Sequence, residues 1–410
     1  MSTTWAGHVW TLLTLSNRSP LLSSRKSPTH RNAIALCTVT VLCCIFLSVC
    51  LRGLSYSSRP EYKQGSILIS YAYYEKDAIQ RSNFELFLKL GTDLSPTGQH
   101  IHWNFVISTE TCSPCRNIFT KASAYTQGPE HLGVRKATTQ GSRTLIYRTE
   151  NTGMDIASHN VSFSYLQHIG RLRLFRYFIM INSSAKGPFQ PAYMPPDWHW
   201  THAYLVRFKG DIHAVASSMV CLPTEDEGGP GPRIESWAYA VDQLGLRALQ
   251  ESGAYNMRTC KGCKGRDSII LSGEYSIGLT MIRFGYNMAT LMLKYSQDVD
   301  WRDPIHWKCN DNVHPSRHGT YDGISLNPIE TVFVKSTWHV AEPYTRRYAG
   351  WLSRHRQGMS GTEGTTNQLL YKFAISEFAQ GHNKLAEGYN LSSAISQWQA
   401  HEESISIKMV

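Results

Sequence analysis

Acidic residues are missing from the first 60 positions, which hold Arg18, Arg25, Lys26, Arg31, Arg52 and Arg59 but no Asp or Glu. Those six cations leave only +4 of the chain's net +10 for everything beyond. So mild a surplus over so long a stretch argues against a nucleic-acid surface. No internal repeat is found, which removes solenoids and propellers. Long apolar runs are equally scarce. One uncharged stretch, Ala33–Leu51 (AIALCTVTVLCCIFLSVCL), is long enough to cross a bilayer as a helix, and no other run approaches it. It begins too far from residue 1, and is too long, for an ordinary signal peptide. Arg18, Arg25, Lys26 and Arg31 precede it, which places that side in the cytosol, against a weaker pull from Arg52 and Arg59. The expectation is an uncleaved signal-anchor, with a cleaved signal or transit peptide as the alternative. The predicted layout is a cytosolic tail over 1–32, a transmembrane segment over 33–51, a stem over 52–65, an α/β domain over 66–335 and a helical extension over 336–410. By analogy, this is the layout of a single-pass type II protein of the Golgi or another secretory-pathway membrane, with its large domain in the lumen.

Cysteine is too sparse for a disulfide scaffold. Cys37, Cys43, Cys44 and Cys50 lie in the apolar run, where they read as small apolar residues, with palmitoylation open to the end members. Six remain, two pairs of them with CxxC spacing: Cys112–Cys115 and Cys260–Cys263, plus Cys221 and Cys309. In an oxidising lumen such a set forms disulfides, and the spacing does not fix their connectivity. A four-Cys zinc site and a redox role are the alternatives. His306, Cys309, His314 and His318 cluster loosely, but fit no standard zinc spacing. Asn160, Asn182 and Asn390 stand in glycan-acceptor sequons, each usable only if exposed.

What is present is an alternation of short apolar runs and amphipathic stretches. Strands are predicted at 66–73, 101–108, 144–148 and 177–181, and helices at 77–90, stopped by Gly91, and at 156–169. This order argues for a mostly parallel α/β sheet flanked by helices. Further strands are predicted at 203–208 and 212–219 and helices at 236–252 and 275–295. Residues 225–232 read as a flexible surface loop. Residues 300–328, rich in Trp, His, Asn and Gly with no clean period, read as a functional loop. Its Asn310–Tyr321 part is expected to line a ligand site, with Trp301, Trp307 or Tyr321 packing on the ligand. His199 and His202 read as ordinary, partly buried histidines.

Three segments carry the chemistry. The strand at 144–148 runs into Glu150-Asn151-Thr152-Gly153-Met154-Asp155, in which Asp155 caps a helix and Gly153 permits the turn. Asn151 and Asp155 then sit where α/β proteins bind ligands. The strand at 177–181 ends abruptly in Asn182-Ser183-Ser184, followed by Gly187-Pro188. Glu274 precedes an amphipathic stretch ending in Gly285-Tyr286-Asn287. Alone, it is an acid favoured by a helix N-terminus; as a catalyst it would be a general base.

In this order the three segments resemble glycosyltransferases of the GT-A (Rossmann-like) fold, over roughly residues 65–335. The nearest likeness is to the rhamnan synthesis protein F-like glycosyltransferases and their eukaryotic relatives. It rests on Asn151, Gly153 and Asp155 in the first turn and on Asn182, Ser183, Ser184, Gly187 and Pro188 in the second. The Glu274 segment is also similar to the inverting family that includes cellulose and chitin synthases. The resemblance implies a nucleotide-sugar donor held by Asn151, Gly153, Asp155, Asn182, Ser183 and Ser184, with Glu274 as catalytic base and a glycan or glycoprotein as acceptor. The family's Mn or Mg is a separate matter. Its Asp-x-Asp turn is here Asn-Ser-Ser, and neutral oxygens are poor sole ligands for a hard cation. Lys186, Arg207, Arg317 or a helix N-terminus would then offset the diphosphate. Two other readings stand beside this one: an inactive, membrane-tethered glycan-binding or scaffold protein on the same fold, and a lumenal oxidoreductase using the CxxC pairs.

Overall fold

The computed structural model describes residues 66–93, 100–119, 124–191, 194, 198–226, 228–256, 269–295, 298–317, 319–321, 325–336, 345, 348–350 and 352. The expected anchor, stem and most of the C-terminal extension lie outside the described residues, as do Cys260, Cys263, His318 and Asn390. Among the described residues no helix is long and apolar enough to cross a membrane.

In chain order the elements are β1 (Ser66–Tyr73), α1 (Ala78–Leu90), β2 (Ile101–Ile107), β3 (Thr126–Gln127), β4 (Val134–Gln140), β5 (Arg143–Arg148), α2 (Met154–His168), β6 (Phe175–Asn182), β7 (Ala185–Lys186), α3 (His202–Leu205), β8 (Ile212–Ala216), β9 (Met219–Leu222), β10 (Gly231–Ile234), β11 (Ala238–Asp242), α4 (Gln243–Glu251), α5 (Tyr275–Arg283), β12 (Asn287–Thr290), α6 (Pro328–Thr331) and β13 (Val334–Lys335). The punctuation explains many of the boundaries. The Asp77 carboxylate accepts the Ile79 N–H at 2.7 Å and Gln80 closes the capping box, which starts α1. The Gly91 N–H bonds back to the Phe87 carbonyl and ends it.

Among the described residues, nine strands form one mixed sheet in the order β12-β8-β11-β6-β1-β2-β5-β4-β3. The central run β6-β1-β2-β5 is parallel. β11 and β4 run antiparallel to their neighbours, so the sheet is mixed rather than parallel throughout. Alternate β1 residues point to opposite faces. Ile67, Ile69 and Tyr71 pack with Phe84 and Phe87 of α1, while Leu68 packs with Ile156, Phe163 and Leu166 of α2. The chain builds outward from β1 through β2 to β5, then crosses back to lay β6 on the other side of β1. The order therefore reverses between β1 and β6, and it is outside the carboxyl ends of such a pair that α/β proteins bind ligands.

The predicted elements up to residue 182 are found. Four later expectations need correction. Residues 203–208 hold the short helix α3, not a strand. The segment 212–219 is two strands, β8 and β9, in different sheets. The expected helix at 236–252 begins as β11, and α4 starts only where Asp242 accepts the Gly245 N–H at 2.9 Å. The expected helix at 275–295 ends at Arg283; Gly285, at φ 76°, turns the chain into β12. Ala238–Val241 is apolar and buried throughout, and such a run carries no period to separate strand from helix, while Asn287–Thr290 (NMAT) is buried but too short to show one. β4 was not expected, because as a thinly covered strand near the sheet edge it is largely polar (VRKATTQ).

Among the described residues two disulfides form, Cys112–Cys115 and Cys221–Cys309. The second removes Cys309 from any zinc cluster with His306 and His314. Residues 225–232 are fastened from below. The buried Arg233 guanidinium donates to the carbonyls of Gly228, Pro230 and Pro232. α5 packs on β10 through Gly278, where a Cβ would lie 2.9 Å from the Pro232 carbonyl and 3.3 Å from Arg233 Cα. Both are backbone atoms that cannot rotate away. Gly278→Ala is therefore expected to lower stability by about 1–2 kcal/mol, overcoming alanine's better helix propensity. Urea unfolding checks this, and a variant as stable as the parent would contradict so close a contact.

Candidate active site

Asn182 is the last residue of β6, and its N–H bonds to the Trp237 carbonyl at the start of β11. Its side-chain amide donates to Asp155 Oδ2 at 2.6 Å, and its Oδ1 accepts the N–H and hydroxyl of Ser184. The first two motifs therefore meet directly. The Asn151–Met154 turn is held by Arg148, whose guanidinium donates to the Thr152 carbonyl at 2.7 Å and the Met154 carbonyl at 2.9 Å. Gly153, at φ 74°, rather than Asp155, is the helix N-cap. This frees the Asp155 carboxylate, in the first turn of α2, to face Asn182. Ser183 is turned inward, exchanging hydrogen bonds with the Tyr74 backbone, so it ties β6 to β1 and does not face the site. The buried Asn83 of α1 fixes the same junction, donating to the Ser183 carbonyl at 2.9 Å and to Ser336 Oγ at 2.6 Å.

Glu274 ends a π-helical turn, Ile270–Glu274, just before α5. Such turns are rare and frequent at functional sites. Burial, then the nearby charge of Asp155, pushes its carboxyl up to about 7, against the pull of Lys335 and a hydrogen bond with Ser236. Asp155 is raised too, mainly by burial, with the Asn182 bond and Lys335 opposing. The two titrate as a pair: each disfavours ionisation of the other.

Glu235 stands beside Ser236 at the head of β11, 7% exposed. Ser218 donates to one oxygen; Ser316, at 2.6 Å, and His314, at 3.4 Å, bond the other. Burial favours its neutral form, but His314, Lys335 and Ser218 outweigh that and hold the carboxyl down at about 2. The 300–328 loop thus does reach the site, through His314 and Ser316. Its aromatic residues do not serve as expected. Trp301 is 1% exposed against Tyr295, and Tyr321 is 5% exposed and bonded to Glu330. Trp307, partly buried, donates to the Trp301 carbonyl and lies against Gly231.

Neither Glu235 nor Lys335 was singled out in sequence. An acid ahead of an apolar run and a lysine near a terminal loop look like surface residues, and only the tertiary fold brings their charges to bear on Glu274. Asn160 is partly buried on α2, and the Asn182 amide is occupied by Asp155, which argues against a glycan there. The turn oxygens are engaged with one another, and among the described residues no group of three or more His, Cys, Asp or Glu is placed to hold a metal. Neutral turn oxygens already engaged with one another are poor sole ligands for a hard cation. Comparison with known proteins finds no family model that matches the chain and no curated protein that matches it.

Proposed function

We propose that the chain is a type II membrane glycosyltransferase of GT-A architecture, anchored by residues 33–51 in a secretory-pathway membrane. It transfers a sugar from a nucleotide-sugar to a hydroxyl of a glycan or glycoprotein, with inversion. One observation carries the reading: Asn182, at the carboxyl end of β6 where the strand order reverses, bonds Asp155, whose charge bears on Glu274 from a third segment. In this reading Glu274 takes the proton of the acceptor hydroxyl as its oxygen attacks the anomeric carbon. The bond from that carbon to the diphosphate breaks, and the electron pair leaves with the diphosphate. A carboxyl held near 7 suits a base working at neutral pH. Asn151 and Asp155 orient the nucleotide, and the Asn182–Ser184 turn shapes the diphosphate end.

The purified full chain, incubated with UDP-, GDP- and dTDP-sugars, is expected to hydrolyse one of them slowly in the absence of acceptor. Failure to turn over or bind any donor would leave the second reading, an inactive glycan-binding descendant, which the acid-free turn at Asn182 favours.

A further inference from the structure

A nucleoside diphosphate arriving at this edge meets Asp155, Glu235 and Glu274, so it needs a compensating cation. The strand-end turn supplies no carboxylate to bring a metal. Two of the cations expected from sequence are poorly placed. Arg207 donates to the Ala203 carbonyl at 2.6 Å and the Thr290 carbonyl at 3.2 Å, which anchors α3 to β12. Lys186 is buried, whereas Lys335 on the facing strand is only half-buried. Arg317 is exposed on the long loop, and its charge bears on Tyr275.

Lys335 is different. It pairs with Ala185, directly after the Asn182–Ser184 turn. The next residue secures the register: the Ser336 N–H bonds to the Ser184 carbonyl at 2.9 Å, and Ser336 Oγ accepts from Asn83. A strap from the far end of the domain is thus fixed to the turn, which brings the Lys335 charge within range of Asp155, Glu235 and Glu274. We infer that Lys335 binds the donor's diphosphate and stabilises it as the leaving group, the role a divalent cation fills in related architectures. This rests on the transferase reading. The diphosphate would share the Lys335 charge with the carboxylates, while Asp155, biased toward protonation by burial, would limit the repulsion.

Calorimetric titration of the full chain in detergent, with chelator present, tests this against UDP, GDP, dTDP and the matching nucleosides. One diphosphate is expected to bind without added metal. Lys335→Gln is expected to weaken it about 10- to 100-fold while binding the nucleoside as before, and Lys335→Arg to keep most of the affinity. Unchanged diphosphate binding by Lys335→Gln overturns the inference, as does binding by the parent only after Mn or Mg is added. If Lys335→Gln loses the nucleoside too, the arginine variant decides: retained metal-free binding supports the inference and its loss overturns it. No binding of any diphosphate by the parent overturns the transferase reading and this inference together.

Discussion

Glu274→Gln is expected to cut turnover of the preferred nucleotide-sugar by about 10³-fold, within the usual range for a lost general base. Donor affinity should change only a few-fold. Glutamine keeps the size of the side chain and its hydrogen-bond reach to Ser236, but it cannot accept the acceptor's proton at neutral pH. Removing the charge also relieves the like-charge repulsion with Asp155, so the fold should gain stability. Loss of kcat with unchanged or tighter donor binding in a more stable protein is hard to produce by misfolding. Initial rates across acceptor concentrations, with binding measured separately, separate the two effects. A variant keeping more than about a tenth of parental turnover would remove Glu274 as the base. A Brønsted base is expected to matter most where it is ionised, so parental kcat should rise with pH through about 7.

The half of the fold built by local signals was legible in sequence. β1, β2, β5 and β6 are apolar runs closed by polar turns, and α1 carries its own capping box at Asp77 and Gln80. What was not legible depended on sheet position. Ala238–Val241 reads equally as helix or strand until β6 and β8 flank it. The site divides along the same line. Asp155 and Asn182 lie at strand ends, where chemistry can be guessed from position, and the structure joins them through one hydrogen bond. Glu274 required a guess about a helix start, and the structure gives it a charged neighbour. Glu235 has no local signal at all. It is recognisable only once Ser218 and, from the long loop, His314 and Ser316 are seen to bond it. Three of the expected aromatic and cationic ligand contacts, Trp301, Tyr321 and Arg207, failed for the opposite reason. Each residue suits a ligand by type, and each is taken up by packing or backbone carbonyls.

The same carboxylates make a prediction about stability that needs no substrate. Unfolded Glu274 titrates near its ordinary value of 4.5 and the folded residue at about 7. Between these values the folded protein holds more protons than the unfolded chain, so stability falls as pH rises through the window. Allowing for its partial exposure, the loss is expected to reach roughly 2 kcal/mol between pH 5 and 8. Asp155, shifted the same way, adds to it. Glu235 works in the opposite sense. Its folded value of about 2 lies below the unfolded one, so its contribution is complete above pH 4.5 and is lost as pH falls toward 2. The cluster therefore favours the folded state most near pH 5, at the mildly acidic side of neutrality. The buried His102 and His159, held down at about 4 and about 3, add stability as pH rises toward 6.5. The carboxylates therefore show as a difference: urea midpoints of the full-chain parent relative to Glu274→Gln should decline from pH 4.5 to 8. Glu235→Gln should leave a shallower decline, because one of the negative charges that raise Glu274 is gone. A difference between parent and Glu274→Gln that stays flat across this range would mean that Glu274 is not raised by burial and by the Asp155 charge, and the base assigned to the reaction would lose its physical footing.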